Sequence, residues 1–166
     1  MMKSFKHSLF LWFLLFGMWL LLNISLAPVI VTTGLILATF LTLLMGRDGS
    51  LLADIRWTPK SIIAMIGYIF MFAWEIVKAN WDVAKRVVTP TVNINPGVVK
   101  IKTKLKSNLG RLVLANSITL TPGTLTIDVI DDTLYIHWID VSTQDVQKAS
   151  EEIAAVFEKY LEVICG

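Results

Sequence analysis

The chain reads as an α-helical membrane hairpin, then a long amphipathic or third hydrophobic helix, then a small cytoplasmic α+β domain of order β-α-β-β-α. Three observations predict this. No Asp, Glu, Lys or Arg occurs between Ser8 and Gly46. A second apolar run begins at Thr58-Pro59 and turns amphipathic before Thr89-Pro90. Beyond Thr91 short period-two and period-3.6 segments alternate, as in a compact domain with its own core. The boundaries are 1–46 for the hairpin, 47–90 for a basic loop and long interfacial or membrane-embedded helix, and 91–166 for the α+β domain.

The composition fits that division. Of 166 residues, 55% are hydrophobic, and the mean hydropathy of +0.66 is high for a soluble protein. A net charge of +2, with both signs interspersed after residue 47, is too small a field for a nucleic-acid binder. The lipid bilayer is the expected charged partner. Cys165 is the single cysteine, so no intramolecular disulfide is expected and no second thiol helps to hold a metal. It is read as a buried thiol.

As one helix the uncharged run would reach roughly 58 Å, about twice the hydrocarbon core of a bilayer. It is therefore two helices, about 5–22 and 28–45, bent at Asn23-Ile24-Ser25-Leu26-Ala27-Pro28. Lys3 and Lys6 before an apolar run, with Ser25-Leu26-Ala27 after it, imitate a secretory signal. Pro28 beyond that site and the second uncharged run predict retention instead. Lys3, Lys6, Arg47, Arg56 and Lys60 flank the hairpin, whereas its turn is uncharged, which predicts both ends on the cytoplasmic side of the plasma membrane. Gly17 and Gly34, with Thr32, Thr33, Thr39 and Thr42, would let the helices approach and bond across their seam, or the threonines would bond back to their own helix.

Thr58 is placed to cap the next helix, with Pro59 in its first turn. Ser61 to Ala73 is uncharged but short. After it Phe70, Trp74, Val77, Trp81, Ala84 and Val88 share one side, while Glu75, Lys78, Asp82, Lys85 and Arg86 take the other, with pairs Lys78–Asp82 and Asp82–Arg86 in reach. This helix crosses the membrane a third time or lies in the interface. Keeping the basic segments on one side favours the in-plane reading. Glu75 borders the apolar part and, with Lys78 one turn on, is the candidate membrane-interface charge. A structural ion pair is the expected role, ahead of ion transport.

In the last segment Val99, Ile101, Thr103 and Leu105 alternate with Lys100, Lys102, Lys104 and Lys106, a strand with one solvated face. Ser107 or Asn108 caps a helix through Leu109–Ser117. Thr121-Pro122-Gly123-Thr124 is a turn with glycine at the positive-φ position. Leu125, Ile127 and Val129 are expected to point inward on the next strand, Asp131-Asp132 to turn, and Leu134, Ile136 and Trp138 to point inward on the third. One final helix, capped by Ser142 or Thr143, would bury Val146, Ala149, Ile153, Phe157, Leu161 and Ile164. The result is a three-stranded sheet with helices on one side, small enough to need docking on the 58–88 helix or a partner.

No catalytic constellation is found. His7 and His137 lack the spaced companions of a zinc site or triad. Asp128, Asp131 and Asp132 read as a hairpin end. No cofactor or metal site is expected. With no ionisable residue in the uncharged run, the chain alone offers no proton path across the bilayer. Against a component of a larger transporter stand two other readings, a small independent transporter using Glu75 and a membrane-tethered enzyme.

The string Ala115-Asn116-Ser117-Ile118-Thr119-Leu120-Thr121-Pro122-Gly123-Thr124-Leu125-Thr126, followed by the segment 134–141 (LYIHWIDV), resembles the E subunit of the multisubunit Mrp (Mnh, Pha) sodium/proton antiporters. The resemblance extends to the hydrophobic hairpin and the basic loop. It implies a non-catalytic accessory subunit, needed for assembly and activity, whose partners are the other membrane subunits that move the ions. Related subunits occur in archaeal respiratory complexes such as membrane-bound hydrogenases, so either assembly is compatible with it. It implies a cytoplasmic C-terminal domain and no cofactor. Asn116, Ser117, Thr119, Thr121, Pro122 and Gly123 read as structural: polar groups closing a helix end and a turn entering the hairpin.

Overall fold

The computed structural model describes residues 2–45, 54–90 and 94–166. The chain divides into two compact units, Met1–Ala53 and Asp54–Gly166. Residues 47–53 of the basic loop expected over 47–60 fall outside the described residues.

The first unit is a pair of packed helices, α1 (Met2–Asn23) and α2 (Pro28–Met45). Their 22 and 18 residues give lengths of about 33 and 27 Å. The bend lies where expected. Asn23 Nδ2 donates to Trp19 O, Ser25 Oγ accepts from Ala27 N, and Ile24 takes a φ of 48°. A buried line of small residues, Gly34, Ala38 and Thr42, recurs every four positions along α2. A Cβ on Gly34 would collide with the Trp19 indole. That close approach lets Trp19 Nε1 donate to Ile30 O at 2.9 Å, and Trp12 Nε1 donates to Thr39 Oγ1 at 3.0 Å. Thr32, Thr33 and Thr39 bond back to carbonyls of their own helix. The seam therefore uses both expected devices, with tryptophans as the donors across it. Gly17 faces open space.

The second unit opens with α3 (Pro59–Val88), 30 residues long, the described helix whose length and hydropathy would suffice to cross a membrane. Thr58 caps it, Oγ1 accepting from Ser61 N at 3.2 Å. It is followed by β1 (Gly97–Lys102), α4 (Asn108–Leu120), β2 (Thr124–Ile130), β3 (Thr133–Trp138), α5 (Val146–Ile153) and α6 (Ala155–Cys165). The sheet order is β1-β3-β2, with β3 antiparallel to both neighbours. Strands β1 and β2, joined through α4, thus run parallel with β3 between them.

One face of the sheet carries α4, α5 and α6, and α3 packs on α6. The core joins Val99, Ile101 and Leu105 to Leu114, Ile118, Leu134, Ile136, Phe157 and Leu161. From α3, Ala64, Met65, Tyr68, Met71 and Phe72 seal it, with the Phe72 and Phe157 rings 6.2 Å apart. The small domain thus docks on the long helix. Lysines 100, 102, 104 and 106 lie on exposed positions between buried ones, as the alternation required. The strand pairing stops at Lys102 because the next amides go elsewhere: Thr103 N donates to Asp132 O and Lys104 N to Glu158 Oε1.

Four sequence expectations are corrected. On β2, Leu125, Ile127 and Val129 are exposed, whereas Thr124 and Thr126 are half-buried and turn toward α4. Their hydroxyls are needed there: Thr124 Oγ1 donates to Ile118 O at 2.6 Å and Thr126 Oγ1 to Ala115 O at 3.0 Å. A bulge between Thr126 and Asp128 then shifts the register. The final helix is two, broken at Ala154, so that α5 lies on β1 while α6 lies against α3 and α4. Its cap is Asp145, whose Oδ1 accepts from Lys148 N at 2.9 Å. Ser142 Oγ instead donates to Glu152, and Thr143 Oγ1 accepts from Asp145 N. Val146 stays exposed, while Ala149, Ile153, Phe157, Leu161 and Ile164 are buried as expected.

Candidate functional site

The two strings singled out in the sequence meet around one cavity of about 380 Å³. Thr121, Pro122, Gly123 and Thr124 form one wall, Trp138 and Asp140 a second, and Glu75, Asp82 and Arg86 of α3 a third. The turn wall is fixed by local chemistry. Gly123 has a φ of 97°, a conformation costing an L-residue about 1–2 kcal/mol, and its carbonyl accepts from Ile139 N at 2.9 Å.

The helix before the turn is closed by hydroxyls. Thr119 Oγ1 donates to Ala115 O at 2.9 Å and Thr121 Oγ1 to Ser117 O at 2.8 Å. Ser117 Oγ donates to Val113 O at 2.7 Å. Having spent its one proton there, Ser117 accepts from Tyr68 OH, which ties α4 to α3. The Tyr68 hydroxyl sits above its usual pKa because burial outweighs that hydrogen bond. Asn116 lies on the exposed side of α4, turned away from the corner that its neighbours close.

Arg86 is the cation of the cavity. Its Nε donates to Asp82 Oδ2 and its Nη1 to Asp140 Oδ2, both at 2.8 Å. The two carboxylates hold the guanidinium in its charged form. One side chain thus joins the end of α3 to the connection after β3. Asp82–Arg86 was legible as an i,i+4 pair. Asp140 was not assigned, although it lies inside the second string, because nothing in the linear spacing brings it to Arg86. Both pairs are partly exposed, so solvent screens them.

Glu75 lines the same cavity and pairs with Lys78 at 2.7 Å. Lys78 thus takes the acid one turn before it rather than Asp82. His137 is exposed on β3. At the other end of the sheet, Asp132 is held below the usual carboxylate range by Thr133 and by Lys102 at 3.6 Å. Asp131, with a φ of 54°, makes the turn, and Asp128 accepts from Val129 N. Among the described residues no group of three or more His, Cys, Asp or Glu is placed to hold a metal ion. The bonds around the cavity fasten helix, turn and strand.

Comparison with known proteins agrees with the convergence of those strings. The family model for Na⁺/H⁺ ion antiporter subunits, MnhE, matches residues 12–164. The chain is similar to the E subunit of the Na⁺/H⁺ antiporter of Alkalihalophilus pseudofirmus, 43% identical over 60% of this chain and 63% of the relative. It is 40% identical to the corresponding antiporter protein of Bacillus subtilis, over 62% of this chain and 65% of the relative. The chain thus aligns with just under two thirds of the length of these relatives. It also resembles a chain in the structure of the membrane-bound sulfane sulfur reductase, an archaeal respiratory membrane complex. That match has 44% identity and a TM-score of 0.78, and covers 95% of this chain and 98% of the other. With the family model matched across almost its whole length, the chain belongs to the family of Na⁺/H⁺ ion antiporter subunits.

Proposed function

We propose that this chain is a non-catalytic accessory subunit of a multisubunit monovalent-cation/proton antiporter, acting on ion transport through partner subunits. It is anchored in the plasma membrane by α1 and α2, with the α+β domain on the cytoplasmic side. The observation that carries the reading is the family match over residues 12–164. The physical chemistry supports it: from Ser8 to Gly46 no carboxylate, ammonium or guanidinium occurs, so the hairpin has nothing to carry a proton or bind a cation strongly. Residues 117–124 use their hydroxyls to close a helix. In this reading Glu75 and Lys78 are an ion pair at the membrane interface, while Asn116, Ser117, Thr119, Thr121, Pro122 and Gly123 are scaffold.

A second assembly is favoured by one specific observation. The likeness to a chain of an archaeal respiratory membrane complex extends over 95% of this chain, so a respiratory ion-pumping complex with an antiporter-like module is the alternative setting. Purification of the tagged chain in mild detergent tests both. Large hydrophobic subunits of an antiporter should accompany it, joined by redox subunits in the alternative. Emergence as a lone monomer would contradict either.

A further inference from the structure

The long helix α3 has two faces of opposite fate. One is tied to the α+β domain at points along its length: Ser61 Oγ donates to Val163 O at 3.0 Å near its start, Tyr68 reaches Ser117 in its middle, and Arg86 reaches Asp140 at its end. The other is an exposed apolar stripe through Ile62, Ile66, Phe70, Trp74, Val77 and Trp81. Helical spacing keeps these in line for about 29 Å, with Val88 extending the stripe. Lys60, Lys78 and Lys85 fall along one border of it, since 18 residues make five turns and Lys85 follows Lys78 by seven.

We propose that α3 lies flat in the headgroup layer, its Ile62–Val88 stripe seated on lipid and the α+β domain held above it on the aqueous side, so that the chain crosses the membrane twice. This rests on the membrane anchoring proposed above and names the lipid surface as the partner of the stripe. Hydropathy alone would let α3 cross; its packing opposes that. From Ser61 to Arg86 the docked helix runs about 37 Å, longer than the ~30 Å hydrocarbon core. An upright α3 would therefore draw the whole domain into lipid, with the exposed lysines at 100, 102, 104 and 106. Lying flat, it buries the stripe, keeps Trp74 and Trp81 at headgroup depth and sets the bordering lysines against anionic phosphates.

Spin labels placed one at a time at Ile66, Phe70, Trp74, Val77 and Trp81, in full-length Cys165→Ala protein purified with its partner subunits and reconstituted in phosphatidylcholine/phosphatidylglycerol vesicles, test the proposal. Their depth is read from the balance of oxygen and aqueous nickel-chelate accessibility. The five labels should report one shallow depth to within about 5 Å. A depth changing by about 22 Å from Ile66 to Trp81, as 15 helical residues across the bilayer require, would overturn it. So would labels shielded from both relaxants, which would mean that a protein partner covers the stripe. Labels at Phe13 and Ile36, exposed on α1 and α2, separate the two levels of the account. If they report lipid while those on α3 do not, the flat placement fails and the anchoring stands; if they report water, the anchoring itself fails.

Discussion

Glu158 shows how single residues set this fold. Buried on α6, it accepts from Thr103 Oγ1 at 2.5 Å and from Lys104 N at 3.0 Å, taking over the backbone where β1 stops pairing. Removing it strands a buried hydroxyl and an amide. Glu158→Ala should therefore lower stability by about 2–3 kcal/mol, whereas Glu158→Gln, which retains an acceptor, should cost less than half of that. Denaturant melts of the two variants check this, and equal losses would contradict the hydrogen-bond account. Cys165 is the second case. Burial chiefly pushes its thiol pKa up, nearby Asp54 adds to the effect, and Arg56 opposes it. With the folded pKa above the unfolded one, the thiol's contribution to stability is full below the ordinary cysteine range and is lost as pH rises through it toward the folded value. Iodoacetamide labelling of the folded chain should accordingly show a pH midpoint above that of the unfolded chain; a midpoint at or below it would refute the burial argument.

At the scale of elements, the sequence read better along the chain than across it. Helix starts at Thr58 and Ser107 and the Pro122-Gly123 turn follow from side chains that act within a few residues, and they lie where the pattern put them. The phase of β2 did not. Threonine and aliphatic residues alternate there, and period two marks a strand without saying which set faces in. The choice was made by α4, whose Ile118 and Ala115 carbonyls accept from Thr124 and Thr126. The break at Ala154 was equally hidden, since neither glycine nor proline marks it; what divides the helix is the need to pack α5 on β1 and α6 on α3. The meeting of Arg86 with Asp140, 54 positions apart, lies beyond any local signal. In the hairpin one glycine carries a testable demand. Gly34→Leu would push the Trp19 indole aside and break its bond to Ile30 O, costing about 1–3 kcal/mol by overpacking. Thermal unfolding in detergent should show an earlier transition for this variant, and an unchanged midpoint would mean that the two helices do not pack there.

For the whole molecule, charge placement decides what the chain can do. Most of its acids and bases lie in the unit that folds around α3, and those gathered at the 380 Å³ cavity have partners: Glu75 has Lys78, Asp82 and Asp140 share Arg86, and Glu152 accepts from the Ser142 hydroxyl. The run from Ser8 to Gly46 holds none. In the proposed reading a chain arranged in this way supplies contacts and shape, and ion movement falls to its neighbours. The most direct measurement is sodium and proton flux in liposomes containing this polypeptide alone, beside liposomes containing the complex purified with it. The account predicts flux indistinguishable from protein-free vesicles for the lone chain and antiport for the complex. Cation flux through the lone chain that disappears in Glu75→Gln would contradict it and make this small protein a transporter in its own right.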